Sequence, residues 1–97
     1  MKRAFVEHTW KEIEALPKDR GVVVLPIGAI EQHGPHLPVW TDAKIAEETV
    51  RGAFEKLPEG VAAWYLPVQS YGKSNEHTGY PGTVAVSAST LMAVVRD

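Results

Sequence analysis

The stretch Val22-Val23-Val24-Leu25-Pro26-Ile27-Gly28 decides the fold. It is apolar and β-branched and does not alternate, which predicts a strand covered on both faces, as in a parallel sheet. Pro26 has no N–H to donate, so the ladder should weaken there. Downstream, Ile45, Ala46, Val50, Ala53, Phe54 and Leu57 repeat at three and four residues. That spacing predicts a helix with one apolar face, beginning near Asp42 and ended by Pro58 and Gly60. Glu47, Glu48, Arg51 and Glu55 fall mostly on the opposite face. Val61-Ala62-Ala63-Trp64-Tyr65-Leu66-Pro67-Val68 reads as a second buried strand. Strand, helix and strand of these lengths form a βαβ unit with a right-handed crossover. The fold class is therefore α/β.

Outside this unit the signals are shorter. Thr9-Trp10-Lys11-Glu12 has the form of a capping box, followed by Trp10, Ile13 and Leu16 at helical spacing and by Pro17 and Gly21 as stops. Thr83-Val84-Ala85-Val86 is a candidate short strand, and Ser87 or Ser89 caps an apolar helix through residues 91–95.

The 97 residues suffice for one domain, taken as 1–97, and bury only a modest core. A net charge of -2 without a basic stripe argues against nucleic-acid binding. The chain has no cysteine, which excludes disulfides, thiolate metal sites and thiol catalysis. Neither a secretory leader nor a membrane-spanning run is evident, so a cytoplasmic protein without membrane partners is expected.

Open parallel sheets bind ligands beyond the carboxyl ends of their strands. The loops 28–41 and 69–82 both follow predicted strands, so both fall on that edge, and they hold His33, His36 and His77 of the four histidines. Glu31 and His33, two residues apart on an extended loop, can point the same way. Asp42 stands at a helix start, where the macrodipole favours an anion. Carboxylates with an imidazole suit zinc, manganese or ferrous iron rather than a calcium cage. Each residue also has a plainer reading. Asp42 alone reads more readily as a helix cap, Glu31 as a solvated loop acid, His36 as a loop stiffener and His77 with Glu76 as a surface pair. His8 reads as surface, and Trp64 and Tyr65 as core. Spacing alone leaves metal site and solvated loop evenly balanced, because this is not a standard short metal motif.

The segment Leu25-Pro26-Ile27-Gly28-Ala29-Ile30-Glu31-Gln32-His33-Gly34-Pro35-His36-Leu37-Pro38, followed by Thr41-Asp42, closely resembles the signature of the creatininase (creatinine amidohydrolase) family. Tyr71-Gly72-Lys73-Ser74-Asn75-Glu76-His77 with Tyr80-Pro81-Gly82-Thr83 resembles that family's next motif, in order and in spacing. The resemblance implies a three-layer α/β/α sandwich with a mainly parallel sheet, of which this chain is the N-terminal part. It implies a metal-dependent amidohydrolase that cleaves a C–N bond, of cyclic amide or formamide type, through two divalent ions, zinc foremost with manganese or iron as alternatives. By resemblance Glu31 is a ligand of one ion, His33 of the other, and Asp42 bridges them. His36, Tyr71, Glu76 and His77 are assigned to substrate contact or support of the ligands, and no catalytic residue beyond the metal ligands is expected within the chain.

Family members are typically more than twice as long, and their following Asn-Gly-His motif does not occur here. Three side chains are few for two ions of coordination four or more. The expectation is thus a piece of a hydrolase completed elsewhere, as a homo-oligomer or by a complementing C-terminal chain, acting on a small-molecule amide. The rival expectation is a truncated, non-catalytic domain that assembles with itself or a partner chain.

Overall fold

The computed structural model describes residues 1–97. In chain order it contains α1 (Trp10–Glu14), β1 (Val22–Val24), α2 (Thr41–Glu55), β2 (Ala63–Tyr65) and α3 (Ala88–Arg96), with short 3₁₀ turns at Phe5–Glu7 and Asn75–His77. β1 and β2 pair in parallel, Val22 opposite Ala63 and Val24 opposite Tyr65, with α2 as the crossover between them. The α/β class and the parallel sheet are as the sequence predicts. No helix is long and apolar enough to cross a membrane.

Regular pairing stops short of Pro26 and then resumes. Gly28 N–H donates to Gln69 O at 2.9 Å and Gln69 N–H to Pro26 O at 2.8 Å, so Ile27 pairs with Gln69 in a single parallel bridge. The interruption is the one that a residue without an N–H imposes. Ala4 adds a parallel bridge to Tyr65. Thr83–Val86 does not become a strand. Only Val84 pairs, antiparallel with Ile30, while Val86 N–H turns to Gly72 O at 3.0 Å. The capping box of α1 is complete: Thr9 N–H donates to Glu12 Oε2 at 2.6 Å and Glu12 N–H to Thr9 Oγ1 at 3.3 Å. Ser87 is the cap of α3, its hydroxyl accepting from Thr90 N–H at 3.2 Å.

The core lies where α2 meets β2. Ala43, Phe54, Ala63 and Trp64 are buried, and Phe54 meets Tyr65 edge to face at a centroid distance of 5.1 Å. Two expectations about burial fail. Val22 and Val23 are 57% and 46% exposed, so the predicted cover on both faces of β1 is incomplete within this chain. The buried stripe of α2 is also rotated. It runs from Ala43 through Phe54, while Ile45 and Ala53 face outward. The cause is a close approach at Gly28, where a Cβ would stand 2.5 Å from Ala43 Cα and 2.9 Å from Ala43 N. The backbone of α2 rests directly on the strand end, and this contact sets the rotation of the helix.

Candidate metal centre

The site is built by the return of the chain from the end of β1 into α2. Gly34, at φ 78°, takes the left-handed conformation that lets the loop turn. Glu31 N–H donates to Val39 O at 2.9 Å and closes the loop, which brings the first turn of α2 back beside Glu31. Glu31, His33 and Asp42 then meet, each offering one ligand atom within 4.8 Å of the others. His33 Nε2 stands 3.3 Å from Asp42 Oδ1. Two ligands each roughly 2.1 Å from one tetrahedral zinc ion would be about that far apart.

Asp42 does not cap α2. The N-cap is Trp40, and no side chain accepts a hydrogen bond from the first turn. The carboxylate is thus not committed to the helix. It still lies at the positive end of the macrodipole, where negative charge is favoured.

Glu31 is 9% exposed. Its Oε2, and Nδ1 of His33, are buried without hydrogen-bond partners. A buried carboxylate oxygen with no partner is costly, and a bound cation relieves that cost. The donor chemistry and the orphaned Glu31 oxygen therefore fit a divalent ion. The neighbouring Asp42 carboxyl, which can share a proton with Glu31, holds the Glu31 pKa above the ordinary carboxylate value; burial raises it further and His77 opposes. The sign of its linkage follows. The metal-free chain gains stability from the retained proton at pH below the ordinary value of 4.5, and that contribution is lost as pH rises through the higher folded value. A metal ion must displace the same proton. Zinc affinity is therefore expected to climb with pH across this window and binding to release a proton. Calorimetry in buffers of different ionisation enthalpy reads that release; heat independent of buffer would remove the shared proton from the account.

The second loop approaches the same cluster. His77 Nε2 lies 3.0 Å from Glu31 Oε2 and 4.0 Å from Glu76 Oε1, so Glu31, Glu76 and His77 form a second group of facing ligand atoms. Glu76 is largely exposed, at the rim. His36 and Tyr71 are exposed and belong to neither group. The sequence reading passed over two residues that stitch the loops together. Thr83 Oγ1 accepts from Gln32 N–H at 3.2 Å, and the Gln32 side chain reaches His77. Gln32 was legible only as the residue between two ligand candidates.

Fold and cluster together define an α/β domain with a carboxylate–imidazole site at the ends of parallel strands. A sequence model of the creatinine amidohydrolase family matches residues 6–97, and the chain belongs to that family. The mycofactocin precursor peptide peptidase of Mycolicibacterium smegmatis is 42% identical over 72 residues, covering 72% of this chain and 29% of the relative. The creatinine amidohydrolase of Pseudomonas putida is 35% identical, over 99% of this chain and 38% of its own length. A mutant creatininase of the Zn-Zn type matches with a TM-score of 0.84 at 30% identity, over 100% of this chain and 38% of that one. The chain thus spans about a third of the length of these relatives.

Proposed function

We propose that this chain provides the metal-binding part of a hydrolase that cleaves an amide C–N bond at a binuclear divalent-metal centre. The observation that carries the reading is the convergence of Glu31, His33 and Asp42, with Glu31 Oε2 buried and unpartnered. Glu31 would hold one ion, His33 the other, and Asp42 both, with zinc foremost and manganese or iron as alternatives. Bound ions of this kind polarise a carbonyl and lower the pKa of water. The residues of this chain would supply the charge that holds them, and a small amide would enter past Glu76, largely exposed, and His77, partly exposed. An amidohydrolase and a peptidase share one chemistry, addition of water to an amide carbonyl. Relatives of both names support a cyclic amide or a peptide amide as the substrate class, and a formamide would undergo the same addition.

Creatinine and a short peptide amide, assayed with the metal-loaded protein, test this. Chelation is expected to abolish turnover and zinc or manganese to restore it. Turnover that survives complete chelation would overturn the reading.

One observation favours a second reading, a non-catalytic domain that assembles with itself or with a complementing chain. Val22 and Val23, on opposite faces of β1, both leave apolar surface open. Sedimentation at several concentrations separates the two, because metal-independent association without any hydrolysis is the outcome that this reading alone predicts.

A further inference from the structure

Two ligand groups share Glu31, and a chain of hydrogen bonds chooses between them. A backbone N–H can only donate, so the atom 2.9 Å from Gly34 N must be the Gln32 oxygen, Oε1. The Gln32 amide nitrogen, Nε2, is then the atom 2.9 Å from His77 Nδ1. An amide nitrogen also only donates, so Nδ1 of the neutral ring carries the lone pair and Nε2 carries the proton. Nε2 is the ring atom 3.0 Å from Glu31 Oε2. The N–H lies off the direct line to that oxygen, so the two groups meet as dipole and charge at 3.0 Å and not through a hydrogen bond.

From this we infer that Gln32 and His77 are positioning residues for Glu31, and that His77 is not itself a metal ligand. A ring nitrogen that bears a proton has no lone pair to give a cation. The group Glu31–Glu76–His77 is thereby closed to metal, although its atoms are near enough. The partial positive charge on that N–H, 3.0 Å away, draws Glu31 Oε2 toward the second loop and so biases how the carboxylate is turned relative to His33 and Asp42. The turn at Gly34 is the origin of the relay, since its N–H fixes which way the Gln32 amide faces. This inference rests on the proposed metal reading for its purpose, but the direction of the relay is independent of metal.

The test begins with 15N NMR of the histidine side chains of the metal-free chain at mildly alkaline pH. His77 should be protonated at Nε2 and bare at Nδ1, and should remain so when zinc is added. Gln32→Leu should abolish that preference for one tautomer. Groups that orient a ligand are worth about 10- to 100-fold in metal affinity, so Gln32→Leu and His77→Leu should each weaken zinc binding on that scale. His77→Gln keeps an N–H at the position of Nε2 without an imidazole, and should retain most of the affinity. A proton on Nδ1, a His77 nitrogen that takes up zinc, or a His77→Gln variant as weak as His77→Leu would each overturn the assignment. Should the leucine variants not fold, the tautomer of the unaltered chain still decides. A chain that binds no zinc at all would count against the proposed function, and the tautomer would be read as before.

Discussion

Asp42→Ala is expected to remove zinc uptake while leaving the metal-free fold standing. Residues that merely support a ligand cost about 10- to 100-fold in affinity, so deletion of a carboxylate proposed to touch both ions should exceed about 100-fold. The effect on the metal-free chain should be small and of opposite sign. Asp42 accepts no hydrogen bond from the helix it begins, so no cap is lost. Its removal also takes a like-charged neighbour away from the buried Glu31, whose pKa it raises. Were Asp42 a cap, the same substitution would lower the stability of the metal-free chain by about 1 kcal/mol. Thermal melts with and without zinc separate these accounts. The ligand role predicts an unchanged or higher melting temperature without zinc and loss of the zinc-induced increase. A variant that still takes up zinc like the parent would remove Asp42 from the centre. Asp42→Asn, which keeps the shape and drops the charge, should fail in zinc binding nearly as fully.

What the sequence made legible, and what it did not, follows from the kind of contact involved. The βαβ unit, the break at Pro26 and the caps at Thr9 and Ser87 were readable because each depends on local properties of a few residues. So was the meeting of the two polar loops, since strand direction alone puts them on one edge. The rotation of α2 was not. Ile45 is the stronger apolar residue, yet it is 59% exposed while Ala43 is buried, because the missing Cβ of Gly28 admits the helix backbone at Ala43. Hydrophobic spacing measures side chains and cannot register a contact made by an absent one. The exposed valines of β1 have a related cause. The run Val22–Val24 reports what a strand is suited to touch, and these 97 residues cover only part of its two faces. In the site, His33 and His36 look alike in sequence, and only the turn at Gly34 places one beside Asp42 and the other in solvent. Gln32 carried no signal, since an amide declares its role only through the partners on either side of it.

Gly28→Ala should damage fold and site together, which distinguishes it from Asp42→Ala. The added methyl would fall 2.5 Å from Ala43 Cα and 2.9 Å from Ala43 N, both main-chain atoms that no rotamer change can move aside. Overpacking of this kind costs about 1–3 kcal/mol, and contact with backbone puts this position at the upper end. Against a total stability of roughly 5–15 kcal/mol for an ordinary domain, the loss should be plain in a denaturant or thermal melt. The relief available is for α2 to withdraw from the strand end, and Asp42 is the residue next to the contact. Withdrawal would widen the gap between Asp42 Oδ1 and His33 Nε2, now 3.3 Å, and zinc affinity should fall in the variant that remains folded at low temperature. Gly52→Ala supplies the control. It lies within α2, a Cβ there would meet nothing within 4 Å, and alanine in place of glycine in a helix interior adds about 0.5–1 kcal/mol. That variant should melt higher and bind zinc as the parent does. If Gly28→Ala were to melt higher as well, the packing of Ala43 on the strand end would not be what positions Asp42.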